Sequence, residues 1–169
     1  MANSLKLLIG LLCFSTASLA DTTCPVFDKV AALKQLTPLQ YSVTQKNDTE
    51  PAFKNAYWSN EQPGIYVDIV SGEPLFSSTD KFNAGTGWPS FTKPITSDAV
   101  IVKKERSFYF LVRNNVISKC ANSHLGDLFN DGPPPTHLRY CMDSAALKFI
   151  PEDKLAAEGY GQFLYLFKK

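Results

Sequence analysis

The 169-residue sequence is short of the features by which many function classes are recognised. It holds two histidines and four cysteines, and no two cysteines form a C-x-x-C pair. Together with the lack of any βαβ alternation, this argues against a thioredoxin-like thiol–disulfide oxidoreductase. Neither sign of charge dominates: 17 Lys and Arg stand against 16 Asp and Glu, a net charge of +1. Such a balance gives no basis for a nucleic-acid or acidic-lipid partner. Beyond the first twenty residues no apolar run is long enough to cross a membrane, which takes about 20 residues. Internal repeats and low-complexity tracts are also missing.

What is present begins with MANSLKLLIGLLCFSTASLA. One Lys, an apolar run from Leu7 to Phe14 and the small residues Ser18 and Ala20 read as a secretory signal peptide cleaved after Ala20. The mature chain is then expected outside the cytoplasm, secreted or periplasmic, with no membrane attachment. It is long enough for one compact domain and too short for two. Cleavage removes Cys13 and leaves Cys24, Cys120 and Cys141. An odd count in an exported chain leaves at least one thiol free in some redox state. No long exposed apolar stripe argues for a dimer, so a monomer is expected.

In chain order, residues 21–45 form an N-terminal arm. Val26, Val30, Leu33 and Leu36 recur at helical spacing and predict an amphipathic helix ending before Pro38. The main domain, 46–169, should open with a short helix capped by Thr49 and ending near Tyr57 and Trp58. Strands follow: IYVDIV and, after a Gly-Glu-Pro turn, Leu75-Phe76; then AVIVKKER, SFYFLVR and NVISK, the last two parted by an Asn-Asn break; then the Cys141 strand and Ala145 to Ile150. A closing helix should start at Pro151-Glu152 and stop at Gly159. The fold class is mainly β with short peripheral helices: a small antiparallel domain of two sheets or a partial barrel.

The chemistry concentrates around Cys141. Alternation in His137-Leu138-Arg139-Tyr140-Cys141-Met142 predicts a strand with His137, Arg139 and Cys141 on one face and Leu138, Tyr140 and Met142 on the other. A permanent cation beside a thiol lowers its pKa and favours the nucleophilic thiolate. The alternative is a small buried residue beside a solvated Arg.

Read with GTGWPSF (85–91) and SHLGDLF (123–129), the segment RYCMDSAALKFIP (139–151) resembles the methionine sulfoxide reductase B family. That family reduces the R-epimer of peptide-bound methionine sulfoxide. The resemblance runs from about Tyr41 to Phe167. It implies that Cys141 attacks the substrate sulfur and becomes a sulfenic acid, that Arg139 stabilises the thiolate, and that His124 helps to protonate or bind the sulfoxide oxygen. Trp88, with Phe91 in the same motif, would receive the substrate methyl. A thioredoxin-like partner would supply electrons, and oxidised methionine in exported proteins would be the substrate.

The chain departs from the family pattern at four places. Asp127 stands where HLGH has its second histidine, Asp143 where Asn is usual, His137 where Gly is usual, and Thr86 where many members hold a resolving cysteine. Asp127, Asp143 and His137 are thus expected at the substrate site, with His137 as a substitute proton donor. The alternative reading is a degenerate pocket that binds oxidised methionine with little or no turnover. Resolution of the sulfenic acid falls to Cys120 or Cys24, with Cys120 favoured for its closeness in sequence to His124. The other possibility is a Cys24–Cys120 bridge that leaves Cys141 to an external thiol. Zinc-carrying relatives place two C-x-x-C pairs because tetrahedral zinc takes four ligands. Here those regions read YVDIVS and SKCA, so neither metal nor cofactor is expected.

Overall fold

The structure is a computed structural model and describes residues 24–106 and 112–168. The expected signal peptide lies outside the described residues. Two antiparallel sheets organise the fold, as the strand pattern predicts. The smaller is ordered β2-β1-β9, with β1 Gly64–Asp68, β2 Pro74–Ser77 and β9 Leu147–Pro151. The larger is ordered β3-β4-β8-β7-β6-β5: β3 Lys81–Phe82, β4 Ser90–Phe91, β5 Val100–Arg106, β6 Val112–Ser118, β7 His124–Phe129 and β8 Arg139–Met142.

β1 shows why the molecule needs both faces of its small sheet covered. Every residue of β1 is buried. Alternation sends Tyr66 to one side, into a core shared with Phe76, Phe91, Leu125, Tyr140 and Met142. Ile65 and Val67 go to the other side, against Ile150, Leu155 and Phe163. The C-terminal 3-10 segment Gly161–Phe167 supplies Phe163 to that second core. Burying each large side chain of this kind contributes roughly 1.5–3 kcal/mol.

The helices depart from expectation. α1 (Lys29–Gln35) ends before Pro38, with Asp28 capping it through the Val30 and Ala31 amides. Its apolar stripe is not buried, however: Val26 and Val30 are exposed. The second helix, α2, is Pro38–Lys46 rather than a segment after Thr49. Thr37 and Gln40 form a reciprocal capping box, Pro38 sits in the first turn, and Asn47 closes the helix at φ 55. α2 crosses the expected boundary at residue 45 and sends Val43, fully buried, into the core. It therefore belongs to the domain.

Three further features bear on the site. β6 runs straight through Asn114-Asn115, because both residues pair with β5 and Asn115 also pairs with β7. The HLGDLF part of the SHLGDLF motif forms strand β7. After Pro151 the chain makes only a 3-10 turn at Glu152–Lys154 before Gly159 at φ 85.

Candidate active site

Cys141 lies at the centre of the larger sheet. β4 and β7 flank β8, placing Ser90 and Asp127 directly beside Cys141 in register. Alternation holds here: Tyr140 and Met142 face the core, while Arg139 and Cys141 face the other side. Gly126 makes the close pairing possible. It adopts φ 145, and a Cβ there would run into the Cys141 carbonyl.

The GTGWPSF loop is tied to the same place. The Met142 amide donates to the Pro89 carbonyl at 2.9 Å, and the Gly87 carbonyl accepts from the Phe53 amide and from Asn55 Nδ2. Trp88 Nε1 donates to the Glu50 carbonyl at 3.1 Å, so the indole is fixed by its polar end and presents its ring. Thr49, Trp88, Arg113, Asp127, Phe129, Cys141 and Asp143 surround an open cleft of about 240 Å³.

Cys141 is the free cysteine among the described residues and is half-buried. Burial pushes its thiol above the ordinary range, against the downward pull of Thr86 Oγ1 (3.9 Å), the Arg139 cation and Ser90. The cation thus acts in the expected direction, but desolvation outweighs it, and the resting group is a thiol. Arg139 is itself occupied. It is buried, binds both carboxylate oxygens of Asp131 at 2.8 and 2.9 Å, and stacks on Phe129 at 4.2 Å.

His124 is 3% exposed, and burial holds its imidazole below the ordinary value, so it is neutral near pH 7. Its tautomer follows from its neighbours. Asn115 donates its Nδ2 to Glu105 Oε1 at 2.8 Å, so its Oδ1 accepts from His124 Nδ1 at 2.6 Å. Nε2 is left without a proton and faces Asp143 Oδ2 at 3.8 Å.

Two carboxylates that replace usual family residues come together here. Asp143 is 4% exposed, and its Oδ1 accepts from Thr49 Oγ1 at 2.7 Å and the Glu50 amide at 3.2 Å. Burial raises its carboxyl to about 6. Asp127 is ion-paired with Arg113 through Oδ2, while its buried Oδ1 has no protein partner.

Other expected site residues lie elsewhere. Phe91 is fully buried, stacked on Phe76 at 4.6 Å, and is a core residue rather than a wall of the cleft. His137 is exposed and adopts φ 54 in the turn before β8, where its amide donates to the Pro133 carbonyl. It is not part of the strand, so the alternation argument that put it beside Cys141 fails. Cys24 and Cys120 are joined in a disulfide, the alternative to either serving as the resolving thiol.

Four residues at the site escaped the sequence reading of function. Arg113 and Asn115 sit two apart on β6 and so share a face, a signal hidden by reading Asn-Asn as a break. Thr49 spends its hydroxyl on Asp143 rather than on a helix cap. Glu50, 4% exposed, accepts from the Ser144 and Ala145 amides just past β8, and burial raises it to about 7. Those amides lie more than 90 residues away in the chain, beyond any local pattern.

A family model described as the SelR domain matches residues 36–151. The chain is also 59% identical over 134 residues to the peptide methionine sulfoxide reductase MsrA/MsrB of Vibrio cholerae. That match covers 79% of this chain and 35% of the relative, so the chain spans about a third of that protein's length.

Proposed function

Since the chain belongs to the SelR domain family, we propose that it reduces peptide-bound methionine (R)-sulfoxide to methionine, with Cys141 as the nucleophile. The observation that carries this reading is the convergence of a free Cys141 and an end-anchored Trp88 on one open cleft. The open rim suits a residue within a polypeptide, and the indole offers an apolar wall for the S-methyl group.

The chemistry balances as one thiol plus one sulfoxide giving one sulfenic acid plus one sulfide. The Cys141 sulfur attacks the substrate sulfur, the oxygen shifts from the substrate sulfur to Cys141 as S–OH as the S–O bond to methionine breaks, and the transient sulfur–sulfur bond opens to release the sulfide. The substrate sulfur is reduced by two electrons and the cysteine is oxidised by two. Loss of the thiol proton is assisted by Arg139 and by hydrogen bonds from Thr86 and Ser90. A dithiol then converts the sulfenic acid to thiol, with water and a disulfide as the other products.

A thioredoxin-like protein would supply that dithiol from outside. Pairing of Cys24 with Cys120 supports this, because neither offers a thiol while bridged. β7 adds distance: His124 to Asp127 spans three residues, roughly 10 Å, and the Cys120 turn lies beyond His124 while Cys141 is level with Asp127. The same disulfide fits export to an oxidising compartment, the destination implied by residues 1–20.

The test is turnover of a peptide carrying methionine (R)-sulfoxide with dithiothreitol. Sulfide should accumulate catalytically, and Cys141→Ser should form none. Binding without sulfide production by the wild-type chain would replace this reading with that of a sulfoxide-binding pocket.

A further inference from the structure

Reduction of a sulfoxide requires a proton on its oxygen before or as the S–O bond breaks, and the two imidazoles are poorly placed to give one. His137 is exposed in a turn, outside the residues around the cleft. His124 is buried and neutral, with its one N–H committed to Asn115. The carboxyl of Asp143 differs on each count. It follows Cys141 by two residues in extended conformation, φ −77 and ψ 126, so its side chain projects on the same side as the thiol. It borders the cleft that holds Cys141 and Trp88. Thr49 Oγ1 and the Glu50 amide grip Oδ1, which leaves Oδ2 as the oxygen able to carry and release a proton.

We infer that Asp143 is the proton donor to the sulfoxide oxygen, with Thr49 as the positioning residue that fixes its carboxyl. The assignment rests on the reductase reading above. Asp143 donates its proton to the oxygen as Cys141 attacks the sulfur. The hydroxyl passes to Cys141, sulfide leaves, and the thiol's own proton restores the Asp143 carboxyl through solvent, so no net proton is consumed.

The groups that face Asp143 are compatible with this cycle. Thr49 and Glu50 approach from the loop after α2, Arg113 from β6, His124 and Asp127 from β7, and Cys141 from β8. Burial sets the carboxyl at about 6, helped by the Asp127 charge and opposed by Thr49, the Glu50 amide and Arg113. An acid in this range is protonated often enough near neutral pH and still releases its proton readily.

Single-turnover rates of sulfide formation, measured from pH 5 to 9, test the assignment. The wild-type profile should bend at about pH 6. Asp143→Asn should remove the bend and slow the step by about 100-fold or more. Asp127→Asn should keep the bend but move it downward, because the Asp127 charge helps to raise the Asp143 carboxyl. Thr49→Val removes a bond that holds the carboxyl down, so it should move the bend upward, and this mild change keeps the test open if Asp143→Asn does not fold. A bend that survives Asp143→Asn, disappears in Asp127→Asn, or stays fixed in Thr49→Val would overturn the assignment. A wild-type chain that makes no sulfide would instead overturn the reductase reading itself.

Discussion

Burial decides the behaviour of the titratable groups around Cys141, and Glu50 shows the consequence for stability. Its carboxyl lies against the Ser144 and Ala145 amides and is raised from 4.5 to about 7. A carboxyl raised by folding binds its proton more tightly in the folded state, so the unfolded chain holds fewer protons between pH 4.5 and 7. Stability from this group is therefore complete below pH 4.5 and declines as pH rises toward 7. Asp143 adds a decline in the same direction between 3.8 and about 6. Denaturant titration should show lower stability at pH 7.5 than at pH 5, and Glu50→Gln should flatten that difference. A slope unchanged in Glu50→Gln would refute this account of the group. Glu50 was invisible to sequence reading because its role depends on partners across the fold. His137 misled for the opposite reason: a local alternation was extended two residues past the start of the strand into a left-handed turn. Phe91 sits in the right motif, yet strand β4 turns its side chain inward.

At the scale of elements, the site depends on how closely β7, β8 and the GTGWPSF loop approach. Gly126 is the hinge of that fit, and Gly126→Ala should destabilise the chain by roughly 2–4 kcal/mol through overlap with Cys141 and backbone strain. Thermal denaturation and the alkylation rate of Cys141 would report the two effects separately. The loop makes a second prediction. Thr86 lies beside the Cys141 sulfur, with Oγ1 at 3.9 Å. Thr86→Cys should create an internal resolving thiol. One turnover without reductant should then consume two thiols and join the introduced sulfur to Cys141 in a disulfide, readable by peptide mapping. The sequence made these elements partly legible. The alternation around Cys141 and the glycines around Trp88 are local signals, whereas the pairing that sets Asp127 beside Cys141 is a tertiary fact.

Across the whole molecule, the Cys24–Cys120 bridge closes a loop with a sequence separation of 96 and fixes the N-terminal arm to the β6–β7 turn. Lys29 adds a bond to the Ala121 carbonyl at 2.6 Å. The arm needs these ties because α1 buries none of its residues. Replacing both cysteines by Ser should lower stability by about 2–4 kcal/mol while leaving the single-turnover yield of sulfide intact. The mainly β, two-sheet plan was readable from short strands and frequent turns. The depth at which α2 enters the core was not, since its sequence is polar on most faces and only Val43 and Thr44 are buried.

The most direct test of Cys141 as the nucleophile is intact-protein mass analysis with product counting after one turnover of a methionine (R)-sulfoxide peptide without reductant. The expected result is one sulfide per chain, a mass gain of one oxygen atom located on Cys141, and an unbroken Cys24–Cys120 disulfide. Absence of sulfide, or sulfide formed with Cys141 unmodified, would contradict it.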